Sequence, residues 1–97
     1  MKEIRLRPAA EADIAGIREY TRRTWGAEQA SRYLRGLGRR FQEIACGVAV
    51  SRQSERNTRC ARYRTHLIYF RVADTHVLIV RVLHERMDAP SHLQFDD

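Results

Sequence analysis

The chain opens on a strict alternation. From Lys2 to Arg7 the large apolar residues Ile4 and Leu6 share one side, and Glu3, Arg5 and Arg7 take the other. That period of two predicts a short, half-buried strand. Pro8 cannot donate to a ladder and suits the first turn of a helix. The period then changes. Ala10, Ile14, Ile17, Thr21 and Trp25 recur at helical steps, which predicts an amphipathic helix over 9–25. Glu11 and Asp13 near its start and Arg22 and Arg23 near its end agree with the helix dipole, and Gly26 supplies the C-cap. Ala30, Leu34, Leu37, Phe41 and Ile44 trace a second, narrower stripe that Gly47 ends. Such a seam suits packing against the first helix as an antiparallel hairpin, with Tyr20 and Trp25 expected in its core. Gly36 and Gly38 each weaken this helix by about 1 kcal/mol relative to Ala, which close approach of another backbone would explain.

Val48 to Asn57 shows no period and reads as a loop; Thr58 to Tyr63 reads as a short, basic, antiparallel strand. The stretch from Arg64 to Asp88 then carries two apolar, β-branched and aromatic runs around Ala73-Asp74-Thr75, the pattern of a hairpin at the centre of a sheet. Counting outward from that break places Ile68, Phe70, Leu78, Val80 and Val82 on one face. Leu67, Tyr69, Val77, Ile79 and Leu83 take the other, joined by Arg71 and Arg81. The expected fold is therefore α+β: one domain over 1–97, in the order β-α-α-β-β-β. A helical hairpin would cover one face of a small, mainly antiparallel four-stranded sheet. A sheet apolar on both faces needs two covers, and the helices provide one.

Composition sharpens this picture. The net charge is +6, and every basic residue except Lys2 is an arginine. Such a balance favours an acidic partner: nucleic acid, an acidic protein segment or an anionic surface. Cys46 and Cys60 form no CxxC pair, and no apolar run is long enough for an export signal or a membrane span. A reduced cytoplasm is the expected setting.

Two stretches resemble one family. The hairpin carries Tyr20-Thr21-Arg22-Arg23-Thr24-Trp25-Gly26-Ala27-Glu28-Gln29-Ala30 with Tyr33 following, and the last strand ends Arg81-Val82-Leu83-His84-Glu85-Arg86-Met87-Asp88, then His92-Leu93. Together they are similar to the ParE toxins of the RelE/ParE superfamily, over almost the whole chain. The resemblance implies a type II toxin held inactive by an acidic ParD antitoxin, in a heterotetramer or larger complex. The antitoxin's N-terminal part dimerises and binds operator DNA, so DNA is met only through the antitoxin. Its C-terminal segment folds across the toxin. ParE toxins target DNA gyrase and block replication; RelE relatives cut messenger RNA in the ribosome. On this resemblance Leu67, Tyr69, Arg71, Ile79 and Arg81 are expected to meet the antitoxin. His84, Arg86, Met87 and Asp88 are expected to help form the toxic surface.

The alternative is catalysis. A RelE-like ribonuclease needs a base for the 2′-hydroxyl, cations for the phosphate and an acid for the leaving oxygen. Arg71, Arg81, His84 and Arg86 offer cations and a base. Lys2 is the only lysine and no tyrosine follows Tyr69, so a complete acid–base set is not legible. The expectation is no catalytic residue and no cofactor. No two of the histidines His66, His76, His84 and His92 have metal-type spacing, so no metal is expected. A non-enzymatic RNA-binding domain is the other class, which salt-dependent binding of bare RNA would favour.

Overall fold

A computed structural model describes residues 1–87. The elements run β1 (Glu3–Leu6), α1 (Pro8–Trp25), α2 (Ala27–Cys46), β2 (Arg52–Gln53), β3 (Arg59–Tyr63), β4 (His66–Val72) and β5 (His76–His84). The strands form one sheet ordered β1-β5-β4-β3-β2, antiparallel throughout except that β1 runs parallel to β5. The sheet has five strands rather than the expected four. The addition is β2, which pairs Arg52 with Cys60 and Gln53 with Arg59 inside the stretch expected as a loop. Both its residues are exposed, so it has no buried face to leave a period in the sequence.

Pro8 occupies the first turn of α1, and Gly26 joins the helices in a single residue at φ 98°, a conformation that a Cβ would penalise. The helical stripes bury as their spacing predicts: Ala10, Ile17, Leu37, Phe41 and Ile44 pack with Ala61, Ile68, Phe70, Val77, Ile79 and Val82 of the sheet. Ile4, Leu6, Ile14 and Leu34 close the edges of this core. Each fully buried large aliphatic or aromatic side chain here contributes about 1.5–3 kcal/mol. Trp25 and Tyr20 depart from expectation. They are 67% and 64% exposed: Trp25 lies past Thr21, the last buried residue of α1, and Tyr20 lies off the buried stripe.

The two glycines of α2 differ. Gly36 is buried, and a Cβ there would collide with the Tyr63 ring and hydroxyl; Gly38 has open space around it. The close neighbour is thus an aromatic side chain of β3 rather than another backbone, and only at Gly36. Gly36→Ala is expected to destabilise by about 1–3 kcal/mol through overpacking. Gly38→Ala is expected to stabilise by roughly 0.4–1 kcal/mol. Urea denaturation of the two variants checks the opposite signs.

The central hairpin splits the expected face assignment in two. Its turn has two central residues, Asp74 and Thr75, with Ala73 donating to the His76 carbonyl at 2.9 Å. An even loop pairs Phe70 with Ile79, Arg71 with Leu78 and Val72 with Val77. That is one position out of step with a three-residue break. A β-bulge beside Tyr69 and Phe70 then inserts one extra residue in β5, so Tyr69 meets Arg81, Ile68 meets Val82 and Leu67 meets Leu83. Beyond the bulge the expected faces hold for Val82 and Leu83. Before it they invert: Val77 and Ile79 lie under the helices, and Val80 lies on the opposite face.

Candidate functional site

The second face of the sheet, away from the helices, has its own small cluster. Cys60, Tyr69, Val80 and Leu83 pack there with Leu67. Alternation along β4 and pairing across the strands add Arg71 and Leu78 to that face, and place Arg5 beside Leu78, Arg62 beside Leu67 and Arg52 beside Cys60. An apolar centre is thus rimmed by four arginines. Arg5 pairs with Glu3, and Arg62 with Glu85 at 2.8 Å. The centre is not bare: Tyr69, Cys60, Val80 and Leu83 are each 1–3% exposed. The accessible apolar part is Leu67 and Leu78, both half-buried. Burial pushes the Tyr69 phenol and the Cys60 thiol above their ordinary ranges, so neither carries charge near neutrality. Both cysteines are free thiols, Cys46 exposed and Cys60 buried.

Two of the five residues expected to meet the antitoxin are elsewhere. Ile79 is fully buried in the main core, a consequence of the even turn. Arg81 reaches α1: its Nε and Nη2 donate to Asp13 at 2.7 and 2.8 Å, and Asp13 also accepts from the Val82 amide at 2.9 Å. The paired carboxylate holds the Arg81 guanidinium above its ordinary range. The bulge that changes the register also frees Arg81 from its expected side. Leu67, Tyr69 and Arg71 remain on the face where alternation places them.

The end of β5 brings other groups together. The Tyr33 hydroxyl lies 2.6 Å from His66 Nδ1, and the His66 ring meets His84 edge-on at 5.5 Å. Tyr63 donates to the Tyr33 carbonyl and completes the aromatic stack. His84 Nδ1 accepts from the Arg86 amide at 3.1 Å, and the Met87 amide returns to the His84 carbonyl, closing a turn. Glu85 and Arg86 are exposed, and Met87 is 41% exposed. Asp88 lies outside the described residues, as does His92. Burial first, and His84 second, lower the His66 pKa, while Asp13 and Glu85 oppose the shift. The unfolded chain therefore binds this proton more readily than the folded one. Stability from His66 is complete above its unfolded pKa of about 6.5 and is lost as pH falls through the lower folded value. Thermal melts at pH 7.5 and 5.0 are expected to show a smaller loss for His66→Gln than for the natural chain.

Sequence reasoning missed His66 and Tyr33 as a pair because their contact spans α2 and β4, with no local spacing to mark it. It missed Leu78 and Val80 because turn length and bulge set their faces, and the Arg5–Arg52–Arg62 rim because strand pairing alone brings β1, β2 and β3 to that face. Among the described residues no group of His, Cys, Asp and Glu is placed to hold a metal, and no helix is long and apolar enough to cross a membrane.

The model of the ParE toxin of type II toxin–antitoxin systems, parDE, matches residues 4–89. The chain belongs to the ParE toxin family. Toxin ParE1 of Caulobacter vibrioides is 37% identical, with 96% of this chain and 99% of that protein covered. Toxin ParE of Escherichia coli is also 37% identical, with 91% of this chain and 89% of that protein covered. The fold recurs in the chromosomal ParDE toxin–antitoxin structure from P. aeruginosa, with a TM-score of 0.73 at 20% identity over 87% of this chain and 96% of that one. A chain of the RelBE2 toxin–antitoxin complex from Mycobacterium tuberculosis superposes with a TM-score of 0.55 at 23% identity, over 86% of this chain and 96% of that one. The ParE match takes in α1, α2 and the whole central hairpin, so the arginine-rimmed face and the His84–Met87 turn both lie within it.

Proposed function

We propose that this ParE-family chain arrests growth by inhibiting DNA gyrase, and that a ParD-like acidic antitoxin neutralises it in the cytoplasm. The observation that carries the antitoxin reading is the second sheet face. Leu67 and Leu78 stand accessible beside the floor of Tyr69, Val80 and Leu83, ringed by Arg5, Arg52, Arg62 and Arg71. An acidic amphipathic segment, disordered when free, would lay its apolar side on this face and its carboxylates on the rim. Arg71 would help to set the register. Ile79 and Arg81 support the face from within and make no direct contact. A dimeric antitoxin would give a heterotetramer or larger, and would meet operator DNA on the complex's behalf.

The gyrase target rests on membership of the ParE family. His84, Arg86, Met87 and Asp88 form the proposed toxic end, where Met87 is an exposed apolar residue beside Arg86. The competing reading is a RelE-like cut of ribosome-bound messenger RNA. One group that such a cut would draw on is engaged internally, Arg81 by Asp13. A supercoiling assay with purified gyrase separates the two. The expected result is inhibition by the chain, relief on adding a ParD-like acidic antitoxin, and intact RNA in a parallel ribosome reaction. RNA cleavage that is lost in His84→Ala, with normal supercoiling, would establish the competing reading.

A further inference from the structure

The turn that closes β5 depends on one imidazole. The Glu85 amide donates to the Thr65 carbonyl at 2.8 Å, and the Met87 amide to the His84 carbonyl at 2.9 Å. The Arg86 amide between them donates instead to a side chain, His84 Nδ1, at 3.1 Å. A ring nitrogen that accepts from the amide two residues on does what an asparagine carbonyl does in an Asx turn. An amide can only donate, so Nδ1 must offer its lone pair, and the ring proton of neutral His84 sits on Nε2. A second proton would land on Nδ1, point at the Arg86 N–H and replace the hydrogen bond with repulsion. The Tyr33–His66 contact lacks this sensitivity, because a hydroxyl can donate to Nδ1 or accept from it.

The surroundings keep the effect of that proton local. His66 of β4 meets the His84 ring edge-on, backed by Tyr33 of α2. Burial first, and His84 second, lower the His66 pKa, so His66 resists charging beside a charged His84. Asp13 of α1, which acts on His66, is held by Arg81. On the turn itself Glu85 pairs with Arg62 of β3 at 2.8 Å, and Arg86 is exposed. Among the described residues no carboxylate hydrogen-bonds the His84 ring. Thr65 and Arg62 pin Glu85, so loss of the Nδ1 bond frees Arg86 and Met87 and leaves the sheet intact. The ring is half-buried, so water can deliver the proton.

We propose that His84 is the positioning residue of the toxic end and a proton-controlled latch on it. With Nδ1 unprotonated it holds Arg86 and the exposed Met87 in the turn that meets the target. A proton on Nδ1 lets the turn go. The inference rests on the reading of His84 to Met87 as part of the toxic surface.

His84→Asn tests the latch, since its side-chain carbonyl offers an equivalent acceptor and takes no proton. NMR follows the Arg86 amide of both full-length chains from pH 7.5 to 5.5, with thermal melts to confirm that each is folded. Affinity for purified gyrase is measured at pH 7.5 and 6.0. The Arg86 resonance is expected to move with the titration of the His84 ring in the natural chain and to stay in place in His84→Asn. Over the same pH step, gyrase affinity is expected to fall at least threefold more for the natural chain than for His84→Asn. An Arg86 amide that ignores the His84 titration overturns the latch. Equal pH dependence of gyrase affinity in the two chains overturns its role in toxicity and leaves the toxin reading intact. A natural chain that does not bind gyrase at pH 7.5 overturns the target reading, and the latch's role in toxicity with it.

Discussion

Asp13→Ala is expected to destabilise the chain by about 3 kcal/mol, a drop in Tm of more than about 10 °C for a domain this small. The reason is the number of groups one carboxylate serves. Asp13 receives two hydrogen bonds from Arg81 and a third from the Val82 amide. Its side chain is 13% exposed and that of Arg81 20%, so water replaces little of what is lost. Removing Asp13 leaves a half-buried guanidinium and an amide without this acceptor, at the bulge where β5 changes register. Asp13→Asn keeps an acceptor for the Val82 amide but loses the charge, and is expected to fall between. Arg81→Met, which removes the charge and fills the space, should cost less than Asp13→Ala. A double-mutant cycle by urea denaturation gives the coupling directly. A loss below about 1 kcal/mol for Asp13→Ala would place this pair with ordinary surface ion pairs.

That pair also marks where sequence reading stops. The helices were legible because their stripes, caps and breakers act locally: Pro8 and Gly26 sit at the helix ends, and Leu37, Phe41 and Ile44 are buried where their spacing places them. The central strands were legible from hydrophobicity. Their faces were not, because a face depends on parity. One residue more or less in the Ala73–His76 turn moved Ile79 from the second face of the sheet into the core. The bulge at Tyr69 and Phe70 leaves no mark in an apolar run, and it sent Arg81 to Asp13. The Asp13–Arg81 and Tyr33–His66 contacts join residues far apart in the chain, and a single sequence carries no sign of such pairing.

The corrected faces change which substitution reports on the antitoxin. Ile79→Asp would place a charge in the main core and unfold the chain. Leu67→Asp puts the same charge at the accessible edge of the second face, beside Arg62 and over Leu83. Burying Leu67 under a partner contributes about 1.5–3 kcal/mol, and an aspartate there adds the cost of desolvating its charge. Together these amount to about a hundredfold in affinity, roughly 3 kcal/mol. Arg71→Ala should weaken binding less and flatten its salt dependence, since a rim charge acts mainly through screened attraction. Val72→Asp provides the control. Val72 is 51% exposed and apolar, but it points to the other side of β4 from Arg71.

The decisive measurement is a calorimetric titration of the acidic antitoxin into the natural chain, Leu67→Asp and Val72→Asp, each first shown to be folded by its thermal melt. If the antitoxin covers the arginine-rimmed face, Leu67→Asp binds at least a hundredfold more weakly and Val72→Asp binds as the natural chain does. Equal affinity for folded Leu67→Asp and the natural chain would contradict this and move the antitoxin off the second face of the sheet.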